Sequence, residues 1–181
     1  MALADDLERV AAAAAGADGG LTGVLATEPA SGRRIYLCAF EAPDGGRTWL
    51  AVDDAGEPIR DRREVRDAVS IAALCEVAEE AAFPGDLDDL RAQLVALRIS
   101  EAPEGIEEAE QAARGLQHVL GAPPHLASPA RLDAIGEAAH RLERALDSTA
   151  PSPFTSAMRS AVAVADALWV DVESAYRGPL P

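Results

Sequence analysis

Arg34-Ile35-Tyr36-Leu37-Cys38-Ala39-Phe40-Glu41 holds six consecutive apolar residues between charged ends. Side chains alternate across a strand, so Ile35, Leu37 and Ala39 fall on one face and Tyr36, Cys38 and Phe40 on the other. A sheet with one wet face alternates apolar with polar residues. This stretch does not, so both faces of its sheet should be covered, either by helices or by a second subunit on one side. Two more runs of strand composition flank it, Thr22–Glu28 and Thr48–Asp53. In the latter, Trp49 and Ala51 oppose Leu50 and Val52. The connections Ser31-Gly32 and Asp44-Gly45-Gly46 carry residues that tolerate positive φ, which predicts an antiparallel meander.

Everything outside the meander reads helical. Residues 2–16 form an Ala-rich helix that stops near Gly16 and Gly19-Gly20. Beyond the turn Asp54-Ala55-Gly56-Glu57-Pro58, residues 61–82 form a central helix whose apolar stripe rotates. Val65, Ala68, Val69 and Ala72 mark its early face, and Ile71, Leu74, Ala78 and Ala81 mark nearly the opposite one later. That rotation predicts two neighbours, the sheet first and other helices afterwards.

After the break at Pro84-Gly85 come four amphipathic segments, around Leu87–Leu97, Ile106–Leu120, Leu132–Leu146 and Phe154–Val172. Their 3-4 spacing gives each one apolar seam, as in a left-handed bundle. Ser128-Pro129 and Ser152-Pro153 read as N-caps followed by a first-turn proline. Gly121 and Gly178-Pro179 read as helix stops. The last helix carries a second stripe, Val162, Trp169 and Tyr176, which predicts a wide buried face or a partner. The fold class is therefore α+β: an N-terminal helix, a three-stranded antiparallel meander, a central helix, then a four-helix bundle-like C-terminal half. Residues 1–83 and 84–181 form the two parts, expected to share one core, with Trp49 and Trp169 reporting on them separately. The order helix, three strands, helix is similar in outline to one half of the small acidic secretion chaperones, in the succession of elements and in no motif.

The 181 residues suffice for one domain with a sizeable core, needing neither disulfide nor metal. All 16 basic residues are Arg against 31 acidic ones, for a net charge of −15. That balance argues against nucleic acid or an anionic membrane as a partner, since phosphate contacts require a basic patch. Asp5, Asp6 and Glu8 precede the alanine run at residues 11–15, the reverse of a signal peptide. No apolar run approaches the roughly 20 residues of a membrane helix. A cytoplasmic location is the expectation.

Candidate chemistry is sparse. Glu137-Ala-Ala-His140 has the Glu/His spacing of a di-iron bundle, but such a site needs two such pairs and two further glutamates. His140 also lies roughly 130° from the seam of its helix, toward solvent. The glutamates at 101, 104, 107, 108 and 110 sit where a helix start favours carboxylates. No metal site and no cofactor is expected.

Cys38 and Cys75 lie within apolar runs and carry no CxxC or nearby histidine. Together with His118 and His140 they are the least implausible members of a catalytic site assembled from distant residues. Tyr36, Cys38, Phe40 and Trp49 are the candidate lining of an apolar ligand pocket between sheet and bundle. Arg33, Arg34, Arg62 and Arg63, interleaved with Asp61, Glu64 and Asp67, are the candidate anion site. The function that best fits the whole is a non-enzymatic protein-interaction or adaptor module acting as a homodimer. A small-molecule binder and an enzyme with a site hidden from sequence are the alternatives.

Overall fold

Strand β2 (Ile35–Glu41) lies inside the sheet and pairs antiparallel with β1 (Gly20–Thr27) on one side and β3 (Arg47–Val52) on the other. The architecture is that of a computed structural model, which describes residues 3–15, 20–42, 44–82, 103–121, 125–146 and 153–178. The turns behave as their glycines predict, with Gly32 at φ 74° and Gly45 at φ 79°.

Register then decides which side chains share a face, because directly paired residues point the same way. Leu37 pairs with Leu25 and Ala51, and Ala39 with Trp49. Cys38 pairs with Val24 and Leu50, and Tyr36 with Val52. Each face acquires a cover from the same chain. Helix α1 (Leu3–Ala15) lays Val10 and Ala14, with Leu3 and Leu7 beside them, on Tyr36, Cys38, Phe40 and Val52. The i, i+4, i+7, i+11 spacing of those four residues puts them on one side of a helix. The opposite face packs on α2 (Arg62–Ala82) and on α5 (Pro153–Ser174). There Val65, Ala68, Val69 and Ala72 meet Ile35, Leu37, Trp49 and Ala51, joined by Trp169 and Val172.

Helix α2 has the two neighbours its rotating stripe predicts. Its early face joins the sheet, while Ala78 and Ala81 pack with Ile135, Ala139 and Phe154. Helices α3 (Pro103–Gly121) and α4 (Pro129–Ala145) close a further cluster around Ala113, Leu116, Ala138 and Leu142. The bundle-like half is looser than four consecutive helices: α3 lies on α4, α4 on α2, and α2 most extensively on α5. The expected segment at 87–97 lies outside the described residues. Trp49 and Trp169 belong to one core cluster, so they do not report on separate parts.

Two further features differ from the sequence reading, and both concern sheet edges. The sheet has four strands in the order β3-β2-β1-β4, because β4 (Leu126–Ala127) adds parallel to β1. A two-residue strand is too short to show periodicity, and Ser128 immediately after it caps α4 by accepting from Arg131 N at 3.1 Å. At the far edge, α5 stops at Ser174 instead of Gly178. The next residues run beside β3, where Trp49 N donates to Ala175 O (3.0 Å) and Arg177 N to Trp49 O (2.7 Å). Ile59 N donates to Ala51 O (2.9 Å), so this edge too is occupied by the chain's own backbone.

The Tyr176 hydroxyl completes that edge. It accepts from Ala51 N and faces the carbonyls of Ala51 and Ile59, each at 3.2 Å. Tyr176→Phe leaves the Ala51 N–H without its acceptor. The expected loss is about 1–3 kcal/mol in a urea titration; a variant as stable as the wild type would show that the hydroxyl does not hold the edge.

Candidate functional site

Helix α5 carries the most conspicuous surface feature. Among the described residues four large apolar side chains are exposed, and three are on this helix: Val162 (64%), Val170 (63%) and Val164 (42%). Val162, Ala163, Asp166, Ala167 and Val170 fall within an arc of about 140° on the helix, all of them exposed. The opposite side of the same helix supplies Phe154, Ala161, Ala165, Trp169 and Val172 to the cores. Of the second stripe read in the sequence, Trp169 is buried, Tyr176 is held at the sheet edge, and Val162 alone faces out.

A second feature lies under α1. Asp6 is only 3% exposed, and its carboxylate takes three donors. Arg9 Nη2 reaches Oδ1 at 2.8 Å, while Arg34 Nη1 (3.1 Å) and the Tyr36 hydroxyl (3.2 Å) reach Oδ2. A buried carboxylate is tolerable only when paired and hydrogen-bonded, and here it is both. The contact joins the first turn of α1 to β2. Burial, then the Asp6 charge, pushes the Tyr36 phenol above its ordinary range. Asp5 and Asp6 both stand in the first turn of α1. The signal that separates them is angular, because Asp6 falls beside Leu3, Leu7 and Val10 on the sheet-facing side.

The candidate pocket residues stand on both sides of the sheet. Tyr36, Cys38 and Phe40 pack under α1, whereas Trp49 packs with α2 and α5, its indole N–H donating to Asp171 at 2.8 Å. All four are buried in close-packed clusters. A groove lies elsewhere, between α3 and α4, with a volume of about 390 Å³ and a lining that includes Gln111, Gly115, Ala134 and Arg141.

Three of the candidate anion residues meet carboxylates through their side chains. Arg33 bonds Glu64 (2.9 Å) and Asp53 (3.3 Å), and Arg34 bonds Asp6 and lies 3.5 Å from Glu28. Arg62 pairs with Glu173 and lies over the Trp169 ring, 5.7 Å from its centre. The Arg63 backbone N–H donates to Asp61 at 2.8 Å, and its side chain is exposed. These pairs tie the hairpin to α2 and α2 to α5.

The remaining titratable candidates are not brought together. His118 is exposed on α3. His140 Nδ1 lies 2.9 Å from Glu143, and its ring meets Phe154 edge-on at 5.4 Å. Cys75 is buried with Sγ 3.6 Å from Ser128 O. Cys38 is buried in the α1 cluster, where desolvation raises its pKa from 9.0 to about 11. Both thiols are therefore held neutral at physiological pH, which removes the nucleophilic thiolate. No group of three or more potential metal ligands occurs among the described residues. None of their helices is long and apolar enough to cross a membrane. Set against protein-family models, curated proteins and solved structures, the chain has no significant match in any of the three comparisons.

The Cys38 shift makes stability depend on pH. Folding favours the neutral thiol, so this contribution is complete below pH 9 and is lost as the pH rises from 9.0 to about 11. The loss is at most about 3 kcal/mol. In denaturant titrations across that range, the stability of wild type minus that of Cys38→Ala should fall with pH; parallel profiles would refute the assignment.

Proposed function

We propose that the protein is a non-enzymatic interaction or adaptor module that acts as a homodimer, and that it pairs through the outward face of α5. The supporting observation is the exposure of Val162 and Val170, each above 60%, on a helix whose other side is fully used in the core. Isolated exposed apolar side chains are ordinary, but Val162 and Val170 share one helix face with Ala163 and Ala167 between them and form a patch with them. Ala163 and Ala167 are small enough for a second helix to approach closely. Arg159 and Asp166 lie seven residues apart on the same exposed side, one basic and one acidic, and Asp166 also meets Arg66 of α2 at 3.3 Å. An antiparallel mate related by a two-fold axis sets the Arg159 of each copy near the Asp166 of the other. A self-complementary patch of that kind suits an isologous contact. The sheet itself needs no second subunit, since α1 covers the face that such a subunit would cover.

Analytical ultracentrifugation of wild type and of Val162→Asp/Val170→Asp tests this. The wild type should sediment as a dimer at micromolar concentration and the double variant as a monomer. Its stability should stay within about 1 kcal/mol, since both positions are surface sites. A wild type that remains monomeric, or a variant that remains dimeric, removes the α5 interface.

A further inference from the structure

The cover that α1 provides is slight for the face it protects. Beneath it lie Tyr36, Cys38 and Phe40, each fully buried, together with Val52. Among the side chains described on α1, Val10 and Ala14 are the buried apolar ones, with Leu3 and Leu7 half-buried, and the helix ends in a run of alanines. Its principal contacts are with β1 and β2. The clusters that join the sheet to α2 and α5, α2 to α4, and α3 to α4 contain no residue of α1. Taking α1 away thus leaves three of the four core clusters among the described residues whole and both sheet edges occupied. A helix of 13 residues is marginal in water by itself, so α1 is helical because it is docked and comes off as one unit. Asp6 is the polar latch, since its carboxylate meets Arg34 and Tyr36 of the sheet in a buried setting.

We infer that α1 is a strap that opens from an otherwise folded protein, with Asp6 holding it shut and the Tyr36–Cys38 face uncovered when it lifts, while Phe40 keeps the Arg177 guanidinium over its ring. Local opening of this kind costs less than global unfolding when the opened element shares few contacts with the rest. The device is independent of the α5 interface, which lies on another helix and uses none of these residues.

The chain carries its own reporters. Cys38 lies beneath the strap, whereas Cys75 is buried on α2 against Ser128, away from it. The full-length protein is labelled with N-ethylmaleimide across a series of low urea concentrations, and the two cysteine peptides are quantified by mass spectrometry. Cys38 should react faster than Cys75 and with a shallower urea dependence. Asp6→Asn keeps the side-chain shape but removes the charge that Arg34 and Tyr36 bond. It should speed Cys38 labelling by roughly tenfold and leave Cys75 unchanged, in line with the strength of hydrogen bonds to charged groups. A common rate and urea dependence for both thiols, or an equal acceleration of both by Asp6→Asn, would mean that α1 leaves only on global unfolding and would overturn the inference. Should Asp6→Asn fail to fold, the wild-type urea series decides the question alone.

Discussion

Strand β2 presents Ile35 and Leu37 to one side and Tyr36, Cys38 and Phe40 to the other, and all five are buried. The need to keep water from both faces of this strand organises the rest of the molecule. It requires one cover before the sheet in the chain and another after it. Helix α1 is the first, and the α2–α5 pair is the second. The two covers differ in kind. The second is a large cluster that takes in two tryptophans and continues into the bundle, while the first is a single helix rich in alanine, held by one buried carboxylate.

Covering the faces leaves the edges, where unpaired backbone would invite another strand. The chain closes both with short pieces of itself. Leu126–Ala127 adds to β1, and Ala175–Arg177 with Ile59 adds to β3. The Tyr176 hydroxyl and the Trp49 indole N–H, bonded to Asp171, lock the second closure from the side-chain level. With faces and edges both occupied, three of the four large apolar side chains exposed among the described residues are on α5. The contact proposed above is therefore assigned to α5 and not to the sheet.

Much of the candidate chemistry disappears for the same physical reason. A side chain on a strand buried on both faces lies in a packed cluster, where burial keeps a thiol neutral and a tyrosine protonated. Arginines that cluster in the sequence meet carboxylates from distant segments, as Arg33 does with Glu64 and Arg62 with Glu173. Sequence proximity could not show those pairings, because the partners are tens to more than a hundred residues away. Trp49 and Tyr36 looked like members of one lining, yet the Ala39–Trp49 register sets them on opposite faces.

What the residues determined alone is the set of local decisions. The β2 run, the turn glycines, the Ser128 cap and the rotating stripe of α2 each depend on the periodicity of a single element, and each is present where the pattern puts it. What only the tertiary structure decided is the assignment of partners. Whether a helix or a second subunit covers the Tyr36 face depends on how α1 folds back, which no local period records. That Asp6 rather than Asp5 becomes a buried latch depends on Arg34 and Tyr36 standing opposite it. That a two-residue strand and a three-residue tail finish the sheet depends on edges that exist only after the strands have paired. Short-range patterns encode which face of an element is apolar; long-range packing selects what meets that face.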